Sequence, residues 1–129
     1  MANLTDNRQS VDITINKTLA AADCGIVQNV IADGLTLTLP AAAAGLNYVI
    51  RVQGVGAGSS VGSAANGTAT LNVAATGTDT VSGNNFTPAA TKGPLSSKTN
   101  NQVGDEITLF GGTGGYTIAS VKGNWTRQP

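Results

Sequence analysis

The residue types that carry most enzyme chemistry are scarce in this sequence. Histidine is absent, which removes the commonest general base and the commonest metal ligand. Cys24 is the only cysteine. It lies in an apolar stretch, so we expect a buried small side chain rather than a reactive thiol. The sequence therefore predicts no catalytic residues of the Ser-His-Asp or Cys-His kind, no disulfide within the chain and no thiolate metal cluster.

Carboxylates are the remaining candidates for acid–base or metal chemistry. Asp105 and Glu106 are adjacent, and neighbours on a strand point to opposite faces, so they cannot act together as the two acids of a glycosidase do. Asp33 and Asp105 each lie beside a glycine, which is typical of turns. Asp79 lies between two threonines, but the spacing of a calcium loop is missing. We expect structural roles for these side chains and predict that the protein is not an enzyme, with no metal and no cofactor.

Phosphate and nucleic-acid binding are also disfavoured. The run Gly54-Val-Gly-Ala-Gly58 leads into further Gly and Ser and then a strand pattern, whereas a dinucleotide fingerprint needs a helix directly after its glycines. Seven basic and seven acidic residues are scattered singly and give a formal net charge of zero. A nucleic-acid-binding surface requires a basic stripe with stacking aromatics, so nucleic acid is not an expected partner.

Period-2 alternation of apolar and polar residues predicts strands along most of the chain. The clearest examples are Leu35-Thr-Leu-Thr-Leu39 and the stretch from Leu46 to Gln53. Between them, Pro40 is expected to open a single helical turn that ends at Gly45. No segment has a sustained helical period, so the fold is predicted to be all-β. Further strands are expected at 11–15, 24–31, 68–75, 78–83, 106–110, 116–121 and 123–127, with tight hairpin turns at 32–34 and 111–115.

The five aromatic residues divide into two groups. Four lie within strand patterns, which favours positions in the core: Tyr48, Phe110, Tyr116 and Trp125. Phe86 instead lies in a stretch from 84 to 102 that has no period and contains two prolines. Patternless stretches of this length in a compact domain are usually functional or partner-bound. We therefore expect Phe86 to anchor into a neighbouring subunit or another partner.

The composition favours an oligomer that docks on a larger surface. Only 4% of residues are aromatic, so the core must be built from Val, Ile, Leu and Ala, and a shared interface would supply burial that one chain lacks. Charged residues make up only 11% of the chain. The start of the sequence has no signal-peptide pattern and no apolar run is long enough to cross a membrane, so we expect synthesis in the cytoplasm and no membrane partner.

One part of the sequence resembles a family of virion proteins. The stretch from Ala22-Asp-Cys-Gly through Leu37-Thr-Leu-Pro-Ala-Ala-Ala-Ala-Gly-Leu-Asn-Tyr-Val-Ile is similar to a pattern found in capsid decoration (cement) proteins, head fibres and some tail-fibre modules of tailed phages. In that pattern a strand ends in Leu-Pro and is followed by an alanine turn, a glycine and an aromatic strand. The closing Gly104-Asp-Glu-Ile-Thr-Leu and Gly123-Asn-Trp-Thr resemble the same group. Together these motifs cover about half of the chain and leave out the middle, from Gly54 to Gln102.

The resemblance implies a single antiparallel β-sandwich or jelly-roll-like domain over residues 11–129, with long loops at about 54–67 and 84–102. It also implies a homo-oligomer, commonly a trimer, that binds the major capsid protein on the outer surface of the virion and ties neighbouring capsomers together. Residues 1–10 are polar and are expected to form an extended N-terminal arm, which is either a frayed terminus or a segment ordered by a partner. We expect the partner contacts to be Ala2, Asn3, Leu4, Thr5, Asp6, Asn7, Arg8 and Phe86.

The same resemblance leaves a second interpretation open. A receptor- or carbohydrate-binding fibre domain of a phage particle would show exposed aromatics or a polar pocket at its tip. Substitution of Phe86 or Tyr116 should then abolish binding to the sugar or the cell.

Overall fold

The structure is a computed structural model that describes residues 8–53, 70–97 and 99–129. The predicted contact residues Ala2, Asn3, Leu4, Thr5, Asp6 and Asn7, and the long loop predicted at about 54–67, lie outside the described residues. No helix in the described part of the chain is long and apolar enough to cross a membrane.

Strands make up almost all of the regular structure, which confirms the all-β prediction. One short 3-10 turn covers Ala21–Asp23. The strands of the described residues are β1 (Ser10–Ile13), β2 (Lys17–Thr18), β3 (Val27–Val30), β4 (Leu35–Thr38), β5 (Asn47–Val52), β6 (Leu71–Ala74), β7 (Thr80–Ser82), β8 (Pro94–Ser96), β9 (Asp105–Gly112), β10 (Gly115–Lys122) and β11 (Thr126–Arg127). They form two sheets, which we call sheet A (order β1-β3-β5-β9-β10-β7) and sheet B (order β11-β8-β6-β4-β2).

The first six strands alternate between the two sheets, so the chain winds as a coil. In sheet A, β1, β3 and β5 are parallel neighbours with Ser10, Val27 and Val49 in register. In sheet B, β2, β4 and β6 are parallel in the same way. The sheets are therefore mixed, and the antiparallel pairing expected throughout the domain applies only to part of the strands. An alternating pattern can identify the buried face of a strand, but it does not identify the strand that lies beside it.

The two connections predicted on either side of β4 are wrong. Residues 32–34 do not close a hairpin, because they carry the chain from β3 in sheet A to β4 in sheet B. Gly34 takes a left-handed conformation there, with φ of 76°. Residues 40–45 contain a bend and a turn but no helical turn. They return the chain from β4 to β5, and Gly45 has φ of 92°.

The C-terminal part adds antiparallel strands to this coil. The predicted hairpin of β9 and β10 is confirmed, and it lies between β5 and β7 in sheet A. In sheet B, β8 pairs antiparallel with both β6 and β11. Strand β8 lies inside the stretch predicted as a loop. The sequence does not predict this strand, because three residues that begin with Pro94 are too few to show an alternating pattern. The loop from 84 to 102 is thus interrupted by one strand.

One hydrophobic cluster draws side chains from both sheets, including Leu37, Leu39, Ile50, Leu71, Ile107 and Leu109. The rings of Tyr48 and Tyr116 lie in this cluster with centroids 6.0 Å apart. Trp125 is also buried, and its indole Nε1 donates to the Lys122 carbonyl at 3.0 Å. These three core predictions are confirmed. Phe110 was predicted in the core but is 53% exposed, because it alternates along β9 with the inward-facing Ile107 and Leu109.

Candidate contact surfaces

The three aspartates singled out in the sequence accept backbone hydrogen bonds. Asp33 Oδ1 accepts the backbone N–H of Thr70 at 2.8 Å. Asp79 Oδ2 accepts that of Ala42 at 2.7 Å. Asp105 is buried, and its Oδ2 accepts the N–H of Gln102 at 2.9 Å. These bonds confirm the structural roles predicted for all three aspartates. Within the described ranges, no three His, Cys, Asp or Glu residues are grouped so that they could hold a metal ion.

Cys24 does not lie in a strand, because β3 begins only at Val27. The cysteine is half-buried in the preceding turn and packs against the hydrophobic cluster. Its Sγ accepts the N–H of Asn47 at 3.4 Å. Its surroundings are thus apolar packing, a backbone amide and the side chain of Tyr48. The thiol is less buried than predicted, and its role as a small hydrophobic side chain stays a prediction.

Arg8 is the one predicted arm contact that the structure describes, and it is bound to sheet A. Its two terminal nitrogens, Nη1 and Nη2, each donate to a carboxylate oxygen of Glu106 at 3.2 Å. Arg51, which faces Glu106 across the β5–β9 pair, donates from Nε to Glu106 Oε1 at 3.1 Å. Glu106 is therefore held between two guanidinium groups. The bidentate geometry fixes the direction of the Arg8 side chain as well as its position.

This cluster lines one side of a cavity of about 410 Å³. The other lining residues are Gln53, Val103, Gly104 and Lys122. Lys122 lies next to Glu106 across the β9–β10 pair, so basic and acidic side chains alternate across the sheet. The Arg8 and Glu106 side chains are 40% and 21% exposed, which limits such a pair to about 0–1 kcal/mol. The cluster therefore contributes orientation more than stability.

Phe86 lies in a tight turn that follows β7. The N–H of Phe86 donates to the Gly83 carbonyl at 2.9 Å. Asn84 and Asn85 between them have φ of 51° and 61°, a left-handed conformation that asparagine tolerates better than most residues. Phe86 is half-buried and packs against the hydrophobic cluster. Its ring is thus partly anchored in its own subunit, and its role as a partner contact remains a prediction.

Phe86 shares a groove with residues from the end of the chain. The groove has a volume of about 370 Å³ and is lined by Asn84, Asn85, Phe86, Thr87, Trp125, Thr126 and Arg127. Two aromatic residues, two asparagines, two threonines and one arginine therefore line a single depression, which we call the Phe86 groove. Such a lining can hydrogen-bond a hydroxylated or acidic ligand and pack against its apolar face. Trp125 and Arg127 were not predicted as site residues, because only the fold brings them close to Phe86.

Tyr116 is not placed to contact a sugar, which is the role that the fibre interpretation assigned to it. The side chain is buried, and its hydroxyl donates to the Pro40 carbonyl at 2.8 Å. A ring in this position has no surface for a sugar. Of the two aromatic residues named for that interpretation, Phe86 lines a groove and Tyr116 is buried.

The chain matches no protein-family model, no curated protein and no solved structure.

Proposed function

We propose that this chain is a structural virion protein of a tailed phage. In this proposal it binds the major capsid protein on the outer surface of the head as a homo-oligomer, with a trimer implied by the resemblance, and it stabilises the contacts between capsomers. We also propose that the two sheets pack as a β-sandwich around the shared hydrophobic cluster. The proposal includes no catalytic step.

The observation that carries the proposal is the fixed position of Arg8. The Arg8–Glu106–Arg51 cluster orients the chain on sheet A directly after residues 2–7, the segment expected to contact the capsid. A contact segment that starts from a fixed point loses less conformational entropy on binding than one that starts from a loose chain. The half-buried Phe86 offers a second anchor, because its turn is already held by a backbone hydrogen bond.

The proposal is tested by mixing the purified protein with phage heads that lack it. We expect the protein to cosediment with the heads and to raise their resistance to heat or to a chelator. Deletion of residues 2–7 should weaken head binding by at least about tenfold, which corresponds to roughly 1.4 kcal/mol. Phe86→Ala should have an effect of similar size.

Phe110→Ala is the matched control for these variants. Phe110 is more exposed than Phe86 but lies on β9, outside the arm and the loop, so its loss should leave head binding unchanged. Full affinity of the deletion variant would remove the arm from the proposal. Failure of the wild-type protein to bind heads, together with binding to host glycans, would rule out the capsid function.

The second candidate function is a receptor- or carbohydrate-binding domain of the same kind of particle. It is favoured by the Phe86 groove, whose amides, hydroxyls and guanidinium suit the hydroxyl and carboxylate groups of an acidic sugar. If this function is correct, Arg127→Ala should reduce binding of acidic glycans at least about tenfold, or roughly 1.4 kcal/mol. Lys92→Ala, which removes a positive charge outside the groove, should have no effect. Equal binding by both variants would exclude the groove as the sugar site.

A further inference from the structure

The first two strands of the chain each form the edge of a sheet. Strand β1 is the edge of sheet A, β2 is the edge of sheet B, and residues 14–16 connect them. We call residues 10–18 the first coil. The second coil packs on one side of it through the β1–β3 and β2–β4 pairs. Within the described residues, no strand pairs with its other side.

The first coil leaves apolar side chains uncovered at this end. Val11 is in register with the buried Gln28, so it lies on the inner face of sheet A, yet it is 39% exposed. Ile15 is 73% exposed. These are two of the four large hydrophobic side chains that are exposed in the described part of the chain. A depression of about 240 Å³ is lined entirely by residues 11–17. An inward-facing valine that remains exposed means that the interior of the fold opens to the surface here.

Strand β1 has one charged side chain, Asp12, but lacks most of the other features that usually protect an edge strand. Proteins blunt such edges with Lys, Pro, a bulge or a very short strand. β1 contains neither Lys nor Pro, and it pairs with β3 over four consecutive residues without a shift in register. The edges at the opposite ends of the two sheets, β7 and β11, have three and two residues. Strand β1 is thus the longest edge strand among the described residues.

Charge at this end allows a second copy of the chain to approach. Lys17 is already paired, with its Nζ 3.1 Å from Asp23 Oδ1 and 3.0 Å from Gln28 Oε1. Asp12 is in register with Asn29 and lies on the outer face of sheet A, away from Val11 and Ile13. The whole chain has a formal net charge of zero, so two copies do not repel each other at long range.

From these observations we infer that the first coil is the surface through which copies of this chain associate, with Val11 and Ile15 buried against another copy. The inference deepens the proposed function, because it rests on the homo-oligomer named there and locates its interface. Backbone groups on the side of β1 that no strand of the described residues pairs with can bond across such an interface, and the apolar side chains supply its buried centre.

The test is the native mass of the purified protein, measured by light scattering over a dilution series in the absence of heads. The wild-type mass should exceed that of one chain and fall on dilution. Ile15→Asp and Val11→Lys should each give the mass of one chain at concentrations where the wild-type protein is associated. Ile15 is largely exposed, so its replacement should leave the circular dichroism spectrum and the folded structure unchanged.

Phe110→Asp is the matched control, because it places the same charge on another exposed hydrophobic residue outside the first coil. It should associate as the wild-type protein does. A wild-type protein that is monomeric at every concentration would overturn the inference, and so would association that both first-coil variants retain. Because heads are absent, either result is separate from the outcome of the head-binding test.

Discussion

Leu37→Ala is expected to lower the free energy of unfolding by about 2–5 kcal/mol. Leu37 is fully buried in β4, the strand of sheet B that lies between β2 and β6. The truncation removes apolar burial and leaves a cavity between strands whose registers are fixed on both sides. Domains of this size are commonly stable by about 5–15 kcal/mol, so the loss would be a large share of the total. The loss in the free energy of unfolding is measured by urea unfolding, followed by circular dichroism at one fixed protein concentration.

Thr36→Ala is the control on the same strand. Thr36 points to the opposite face and is half-buried, and its backbone N–H remains bonded to Asn16 Oδ1 at 2.9 Å whatever the side chain. We expect a change of about 0.5 kcal/mol or less for this variant. Equal effects of the two substitutions would mean that Leu37 is not at the centre of the core. Protein concentration must be held constant, because an oligomer couples association to apparent stability.

For β4 and β5 the sequence is sufficient to predict which face of the strand is buried. Leu35, Leu37 and Leu39 alternate with threonines and are all buried, and the inward residues of β5 follow the same rule. The sequence does not predict how the strands pair. Apolar and polar residues alternate with a period of two whether the neighbouring strand is parallel or antiparallel. Turn residues such as Asp33-Gly34 suit a change of sheet as well as a hairpin. The coil of parallel strands was therefore not predictable from these patterns.

The candidate contact surfaces were predicted only where a single residue stands out locally. Phe86 was recognised because it is an aromatic residue in a patternless stretch. Its neighbours Trp125 and Arg127 lie far along the chain, and nothing in their local sequence points to Phe86. The pairing of Arg8 with Glu106 likewise depends on the fold bringing the start of the chain to β9. Phe110 shows a different error. It lies in a strand, as predicted, but its side chain is on the outer face of the sheet rather than in the core.

Stability is expected to fall between pH 10 and 12 because two tyrosines are buried in the protonated form. Burial raises the pKa of Tyr116 from its ordinary value near 10 to about 12. Burial and, to a lesser degree, the nearby Cys24 raise the pKa of Tyr48 as well. The unfolded chain then releases these protons near pH 10, while the folded chain still holds them. Their contribution is complete below pH 10 and is lost as the pH rises toward the folded-state values, at about 1 kcal/mol per pH unit for each tyrosine.

Urea unfolding at a series of alkaline pH values, combined with the ultraviolet absorbance of tyrosinate, checks this expectation. Tyr116→Phe keeps the ring but removes the hydroxyl that donates to the Pro40 carbonyl, so it should be less stable than the wild-type protein at neutral pH by about 0.5–1.5 kcal/mol. Its stability should then decline less steeply above pH 10, because one of the two buried protons is missing. The two proteins differ only in this hydroxyl, so the difference between the slopes isolates Tyr116. Identical slopes, or complete tyrosinate formation near pH 10 in a protein that is still folded, would show that these hydroxyls are accessible to water.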